Sequence, residues 1–184
     1  MNLRYRGILY GSQANGPGSR TVLFTQGCWF RCPGCQNSEL WPLTGGTLAL
    51  PETVGSLLLE QSCDGWTITG GEPLIQVEPL LTILEILRSE DRGVILFTGY
   101  TKEELGASLE LAKAVSLCDA VVAGRFQQRE ACHVGLRGSS NQEILCITDR
   151  YEPEVLESFP HFIEIHANPP VITGFPGGDD VSIP

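Results

Sequence analysis

The sequence predicts an α/β fold, a single domain that forms an incomplete β/α barrel with a mostly parallel sheet. Short apolar segments typical of strands alternate with amphipathic segments typical of helices, which is the βαβ order of a parallel sheet. The chain has 184 residues, whereas a closed eight-fold barrel typically needs about 250. We therefore expect one domain over residues 1–184 and a sheet that stays open or closes only in part.

The predicted strands are short and apolar, and turn residues separate them. Residues 94–98 are continuously apolar, as expected when both faces of a parallel sheet are covered. The strands of the sheet are expected at residues 3–10, 20–25, 65–69, 94–98, 120–123 and 144–148.

Three segments are predicted as helices, at residues 51–61, 77–88 and 101–115. Pro51 suits the first turn of the first helix, and the second helix repeats leucine and isoleucine at helical spacing. Thr101-Lys102-Glu103-Glu104 is a capping box that opens the third. After Pro160, apolar residues alternate around Asn168-Pro169-Pro170, which predicts a C-terminal hairpin at about residues 160–177.

Composition and charge limit the classes of protein to which this sequence can belong. The formal net charge is −10, which argues against non-specific nucleic-acid binding. The N-terminus lacks the apolar core of a signal peptide and no segment approaches the ~20 apolar residues of a membrane span, so we expect a soluble, cytoplasmic protein. Seven cysteines, an odd number with one tight cluster, fit a reducing compartment and a metal site better than a disulfide framework.

The first 38 residues are basic. They carry Arg4, Arg6, Arg20 and Arg31 and no acidic residue. These side chains could offset thiolate charge or dock an acidic electron-donor protein. They could equally be four ordinary surface arginines.

The cysteine loop, residues 26–37, follows the second predicted strand and contains Cys28, Cys32 and Cys35 at Cys-x3-Cys-x2-Cys spacing. Three thiolates are one short of the tetrahedral shell of structural zinc. A [4Fe–4S] cluster has four irons, so three cysteines would leave one iron open to a small molecule. Spacing favours the cluster, while zinc and packed thiols remain alternatives. Four further cysteines stand alone and receive no role: Cys63, Cys118, Cys132 and Cys146.

Two more motifs follow predicted strands. Gly70-Gly71-Glu72-Pro73 follows the strand at 65–69, and Phe97-Thr98-Gly99-Tyr100-Thr101 follows the strand at 94–98. Each motif alone is typical of a plain turn. Because parallel strands end at one edge of a sheet, where α/β proteins keep their ligand sites, we expect both motifs beside the cysteine loop.

The cysteine spacing after a first strand, with the glycine pair one β/α unit later, resembles the radical S-adenosylmethionine enzymes. Several strings are similar to the activating proteins of anaerobic (class III) ribonucleotide reductase, members of the glycyl-radical-enzyme activase family. Those strings are Gly16-Pro17-Gly18-Ser19-Arg20, Cys32-Pro33-Gly34-Cys35-Gln36-Asn37, Phe97-Thr98-Gly99-Tyr100-Thr101, Arg137-Gly138-Ser139-Ser140-Asn141-Gln142 and Ile172-Thr173-Gly174-Phe175-Pro176-Gly177. The resemblance runs from about residue 3 to residue 177.

The resemblance implies two cofactors and their ligands. A [4Fe–4S] cluster would be held by Cys28, Cys32 and Cys35, and S-adenosylmethionine would chelate the open iron. The residues in contact with S-adenosylmethionine would be Gly34, Gln36, Gly70, Gly71, Glu72 and Thr98. A side chain added at Gly71 is expected to weaken cofactor binding and to leave the cluster in place. Gly34 stands where many relatives have an aromatic residue that stacks on adenine, so the residue that contacts adenine is unassigned. Outside these contacts, Asp119 is expected to serve folding.

The resemblance also implies a reaction and partners. An external donor, such as flavodoxin or a thioredoxin- or ferredoxin-type reductant, would reduce the cluster. Reductive cleavage of S-adenosylmethionine would give a 5′-deoxyadenosyl radical, which would generate a glycyl radical on the large subunit of anaerobic ribonucleoside-triphosphate reductase. Two alternatives stay open: a radical S-adenosylmethionine enzyme acting on a small molecule, and a non-catalytic iron–sulfur or zinc module.

Overall fold

A seven-stranded sheet forms the centre of the molecule in the computed structural model, which describes residues 1–167 and 170–176. Along the sheet the strands are ordered β3-β1-β2-β4-β5-β6-β7. They are β1 (Leu3–Ser12), β2 (Arg20–Thr25), β3 (Thr47–Ala49), β4 (Gly65–Gly70), β5 (Gly93–Thr98), β6 (Ala120–Ala123) and β7 (Glu143–Cys146).

The four central strands, β2, β4, β5 and β6, pair in parallel, and β1, β3 and β7 add antiparallel pairs at the two sides. Thr25 lies opposite Gly70, and Thr98 lies opposite Ala123, so the carboxyl ends of the parallel strands share one edge of the sheet. β3 and β7 end the sheet and do not pair with each other. The α/β class with a mainly parallel central sheet is therefore confirmed, and the sheet is open.

Apolar clusters cover both faces of the sheet. Ile95 and Leu96 are neighbours in β5 and are both fully buried, yet they belong to opposite clusters. The larger cluster contains Leu58 and Leu84 from the helices, and the smaller contains Leu156. β5 is thus continuously apolar because both of its faces are buried, as the sequence indicated.

The helices are α1 (Pro51–Leu59), α2 (Val77–Arg88), α3 (Lys102–Gly106), α4 (Leu109–Ser116) and α5 (Pro153–Glu157). The predicted capping box is present, because Thr101 accepts from the Glu104 N–H and Glu104 accepts from the Thr101 N–H. The single helix expected at 101–115 is wrong, since Ser108 caps a new helix by accepting from the Leu111 N–H at 3.4 Å. Within residues 1–167 and 170–176, no helix has the length and apolar character needed to cross a membrane.

The C-terminal part forms an antiparallel hairpin of β8 (Ile163–Ala167) and β9 (Pro170–Gly174). Glu164 fastens this hairpin to the end of β1, because its carboxylate accepts from Ser12 Oγ at 2.6 Å and from the Gln13 N–H at 2.7 Å. Asn168 and Pro169, named for the turn of the expected hairpin, and Gly177, its last residue, lie outside the described residues. The short strand β3 was not expected from the sequence, and its side chains are largely exposed.

Arg20, at the start of β2, is fully buried rather than displayed beside the cysteine loop. Its guanidinium donates to Thr67 Oγ1 at 3.1 Å, to Tyr151 Oη at 2.6 Å, and to the carbonyl oxygens of Trp66 and Gly93. These four acceptors are neutral. Burial lowers the pKa of the guanidinium. Arg20 is therefore a structural residue, and the proposal that it docks a donor protein is wrong.

We expect Arg20→Lys to lower the free energy of unfolding by about 2–4 kcal/mol, because one ammonium group cannot reach four separated acceptors. Chemical denaturation monitored by circular dichroism measures this change. Arg6→Lys is the matched control, since Arg6 is exposed, and it should change stability by less than about 0.5 kcal/mol. Equal losses in the two variants would contradict the role assigned to Arg20.

Candidate functional site

The cysteine loop leaves β2 at the carboxyl edge of the sheet and is held by backbone hydrogen bonds. The N–H of Gly27 donates to the Leu40 carbonyl at 2.8 Å, and the N–H of Cys28 donates to the Trp41 carbonyl at 3.0 Å. Gly27 has a φ of 102°, a conformation that favours glycine. The loop is thus closed at its base by the segment that follows it.

The three thiols of the loop, Cys28, Cys32 and Cys35, are partly buried and unpaired. Burial raises the pKa of Cys28 and of Cys32, and the neighbouring Cys35 thiol raises both further. Backbone N–H groups oppose this, those of Phe30 and Arg31 at Cys28 and that of Phe126 at Cys32. In the described part of the chain, no group of three or more His, Cys, Asp or Glu side chains is arranged to hold a metal ion.

Gly70 and Gly71, at the end of β4, lie directly against the base of the cysteine loop. The N–H of Gly71 donates to the Thr25 carbonyl at 2.9 Å, and the N–H of Glu72 donates to the Gly27 carbonyl at 2.8 Å. A Cβ on Gly71 would lie 2.8 Å from the Gly27 carbonyl carbon and 3.0 Å from its nitrogen. A side chain at Gly71 would therefore press on the base of the cysteine loop, so its effect on the cluster that was expected to be spared becomes a matter for measurement.

Glu72 joins two strand ends through a buried carboxylate. The carboxylate accepts from Thr98 Oγ1 at 2.8 Å, from the Gly99 N–H at 2.6 Å and from the Leu74 N–H at 2.9 Å. Glu72 is 1% exposed. Burial raises its pKa to about 7, although these three donors and the charge of Arg125 lower it. Glu72 thus connects the ends of β4 and β5, and both of its carboxylate oxygens accept hydrogen bonds.

The turn after β5 meets the cysteine loop through aromatic packing. A Cβ on Gly99 would lie 2.5 Å from the Phe30 ring, so glycine is what allows this ring to approach. Phe30 also packs edge-to-face on Tyr100, with 5.1 Å between ring centroids. Phe30 is therefore the contact by which the cysteine loop is positioned against β5.

The segment Arg137–Gln142 holds the loop that follows β6. Asn141 Nδ2 donates to the Arg125 carbonyl at 2.9 Å, and Gln142 Nε2 donates to the Gly124 carbonyl at 2.8 Å. Ser139 Oγ accepts from the Gln127 N–H at 3.1 Å. This segment, one of the strings that carry the resemblance, therefore supports the site through hydrogen bonds to the backbone of that loop.

Asp119 lies at the opposite edge of the sheet, before β6. Its buried carboxylate accepts from the Val94 N–H at 2.9 Å and from Thr148 Oγ1 at 2.6 Å, and it pairs with Arg88 at 3.0 Å. Asp119 therefore serves the fold, as expected.

Most of the predicted site residues converge at the carboxyl edge of the sheet. The Gly70–Glu72 turn contacts the cysteine loop directly, and Thr98 is connected to that turn by its hydrogen bond to Glu72. Gly34 is exposed and lies against the Gln128 side chain. Gln36 is exposed, and none of the hydrogen bonds in the described residues joins its side chain to the others.

Sequence reasoning missed three contributors to this site, namely Phe30, Glu104 and Arg125. The Arg125 guanidinium lies over the Phe30 ring at 4.2 Å and forms two hydrogen bonds of 2.9 Å to the Glu104 carboxylate. One signal was available, because Arg125 lies two residues after the end of a predicted parallel strand and so had to be near the edge that carries the site.

We expect Glu72 to make the cluster-free protein less stable as pH rises. In the unfolded chain the carboxyl has its ordinary pKa of 4.5, whereas in the folded chain burial raises the pKa to about 7. The stabilisation that comes from the bound proton is therefore fully present below the pKa of the unfolded chain and is lost as pH rises through the pKa of the folded chain. The free energy of unfolding of the wild type relative to Glu72→Gln should fall by roughly 2 kcal/mol between about pH 5.5 and 8.

Denaturant unfolding of both proteins across that range gives this difference. Taking the difference cancels the titration of other groups near the site, which include Cys28, Tyr100, Glu104 and Arg125. A difference independent of pH would show that the folded carboxyl titrates normally.

Comparison with known proteins now identifies the family. The 4Fe-4S single cluster domain family matches residues 14–145. The anaerobic ribonucleoside-triphosphate reductase-activating protein of Enterobacteria phage T4 is 34% identical over 143 residues, covering 73% of this chain and 88% of the relative. The protein of the same name from Escherichia coli K12 is 34% identical over 140 residues, covering 71% and 90%.

Among solved structures, QueE from Escherichia coli has a TM-score of 0.48 and 17% sequence identity, covering 67% of this chain and 70% of its own. The family match and the identity to the curated relatives agree with each other. The chain belongs to the 4Fe-4S single cluster domain family and to the family of anaerobic ribonucleoside-triphosphate reductase-activating proteins.

Proposed function

We propose that this chain is a radical S-adenosylmethionine activase. It cleaves S-adenosylmethionine reductively at a [4Fe–4S] cluster and thereby generates a glycyl radical on an anaerobic ribonucleoside-triphosphate reductase. The observation that carries the proposal is the meeting of the cysteine loop with the ends of β4 and β5, through Gly71 and Gly27 and through Phe30 and Gly99. The relatives named above are reductase-activating proteins, which supports the same activity.

The three cysteines fit a [4Fe–4S] cluster by residue type and spacing, although in the described part of the chain their side chains are not arranged to hold a single metal ion. Cys28, Cys32 and Cys35 lie on one loop, and their soft thiolates suit iron–sulfur ligation. Burial raises the pKa of Cys28 and Cys32 and so disfavours their thiolate forms, and nearby backbone N–H groups offset part of this effect. When bound, such a cluster supplies one electron and an open iron for the amino and carboxylate groups of S-adenosylmethionine.

The residues around the loop then bind and orient S-adenosylmethionine. Gly70 and Gly71 offer backbone without side chains beside the cysteine loop, and Glu72 keeps that backbone aligned with the end of β5. Thr98 Oγ1 already donates to Glu72 and accepts from the Tyr100 N–H at 3.1 Å. We therefore assign Thr98 to shaping the cofactor site.

Gly34 and Gln36 complete the proposed cofactor contacts from the exposed rim of the cysteine loop. No catalytic side chain is assigned beyond the cofactor ligands, since the protein's part is to hold the cofactors in position and to exclude water.

The partner surfaces follow from what is exposed at the loop. Trp29 is 56% exposed, and Arg31 is exposed between the first two cysteines. The open sheet leaves room for a loop of the reductase large subunit that carries the glycine. The electron donor would be an acidic protein such as flavodoxin, or a thioredoxin- or ferredoxin-type reductant, which Arg31 and Arg6 can attract now that Arg20 is known to be buried.

We expect the anaerobically reconstituted protein to produce 5′-deoxyadenosine from S-adenosylmethionine and a strong reductant. Cys28→Ala, Cys32→Ala and Cys35→Ala should each abolish the product, because each removes a cluster ligand. Cys63→Ala is the matched control and should keep the activity, since Cys63 is buried beside Trp66 and Arg92 in the core. Chromatography of the reaction products measures 5′-deoxyadenosine formation by the wild type and the four variants.

The same reaction separates the proposal from its alternatives. Adding the anaerobic reductase should yield a glycyl radical detectable by electron paramagnetic resonance. Product without that radical would favour a small-molecule substrate, and a loaded cluster without product would favour a binding module. Zinc in place of iron, or full activity in any variant of the three loop cysteines, would overturn the ligand assignment.

We expect Gly71→Ala to lower both iron content and 5′-deoxyadenosine formation at least tenfold, because its Cβ would press on the Gly27 backbone at the base of the cysteine loop. Gly7→Ala is the control, since a Cβ there meets no atom within 4 Å. Iron analysis after reconstitution measures the first effect. Normal iron loading in Gly71→Ala would show that the loop adapts and would return Gly71 to a role in cofactor binding alone.

A further inference from the structure

The loop after β6, residues 124–128, covers one side of the cysteine loop. The backbone N–H of Phe126 lowers the pKa of the Cys32 thiol, against the larger effect of burial, and a Cβ on Gly34 would lie 2.7 Å from the Gln128 side chain. Between these contacts, the Arg125 guanidinium lies over the Phe30 ring at 4.2 Å. This loop therefore brings a positive charge to the group of three cysteines.

Arg125 is held in this position from several sides. Its guanidinium makes two hydrogen bonds to Glu104, whose carboxylate also accepts from the Thr101 N–H at 2.8 Å and so is fixed at the start of α3. Its backbone carbonyl accepts from Asn141 at 2.9 Å. A side chain fixed at both ends loses little entropy when it stacks, so the charge stays beside the loop.

A fixed charge at this place acts on electron transfer. Three thiolates surround the proposed cluster, and an added electron makes that assembly more negative. A nearby cation stabilises the reduced state, and N–H groups directed at the ligand sulfurs act in the same direction. Glu104 acts in the opposite direction, because its negative charge partly cancels that of Arg125.

Resting on the proposed function, we propose that the charge of Arg125 raises the reduction potential of the cluster at Cys28, Cys32 and Cys35, and that the charge of Glu104 lowers it. Arg125 favours the one-electron reduction of the cluster by an external donor of the flavodoxin or ferredoxin class, which is itself oxidised by one electron. Arg125 is a positioning residue in this scheme, since it touches Phe30 rather than the reacting atoms.

A redox titration of the reconstituted proteins, followed by electron paramagnetic resonance, tests this inference with and without S-adenosylmethionine. Arg125→Gln removes the charge and should lower the equilibrium constant for reduction about tenfold, which is about 59 mV for one electron. Glu104→Gln removes the opposing charge and should shift the potential the other way. Arg125→Lys keeps the charge without the planar stack and should stay near the wild type.

The signs of these shifts separate an electrostatic role from a structural one. A structural role would move Arg125→Gln and Arg125→Lys together, and it gives no reason for Glu104→Gln to move oppositely. Equal potentials in all four proteins, or shifts of Arg125→Gln and Glu104→Gln in the same direction, would overturn the inference. If Arg125→Gln loads no cluster, the shift in Glu104→Gln decides alone.

The outcome also distinguishes this inference from the proposed function. A wild-type protein that assembles no [4Fe–4S] cluster would end the proposed function itself. A cluster that assembles and cleaves S-adenosylmethionine, with a potential insensitive to Arg125 and Glu104, would end this inference alone.

Discussion

The site depends on a close backbone approach between two strand ends. Gly71 lies against Gly27, and hydrogen bonds from Gly71 to Thr25 and from Glu72 to Gly27 keep the two segments together. A side chain at Gly71 would push the segments apart, so the cysteine loop can take its place only where β4 ends without one. This contact makes the cysteine loop and the glycine pair one structural unit, whether or not a ligand is bound between them.

Around that unit, the neighbouring strand ends are joined by different forces. Glu72 ties the end of β4 to the end of β5 with a desolvated carboxylate, and desolvation is the dominant effect on its protonation. Phe30 packs against the end of β5, and Arg125 stacks on Phe30 from the end of β6. The four parallel strands thus each contribute to fixing one loop, and the fold matters to the function through this shared edge.

Much of this arrangement could be predicted from the sequence, because apolar strands and cysteine spacing are local patterns. The parallel strands, α2 and the capping box at Thr101 are where the sequence indicates. What failed depended on tertiary contacts. Arg20 looked like a surface charge because nothing local shows that four neutral acceptors surround it. The contact of Gly71 with Gly27 could not be predicted for the same reason, since the two residues are distant in sequence.

Arg20 also bears on how much chain the fold requires. One of its acceptors is Tyr151, which lies 131 residues further along the chain, whereas the family match ends at residue 145. A chain that ended at residue 145 would bury the Arg20 guanidinium without its Tyr151 acceptor, and it would lose the hydrogen bonds that the Glu164 carboxylate accepts at the end of β1. The segment after residue 145 is thus an integral part of the folding unit, and truncation there would affect β2, the strand that leads into the cysteine loop.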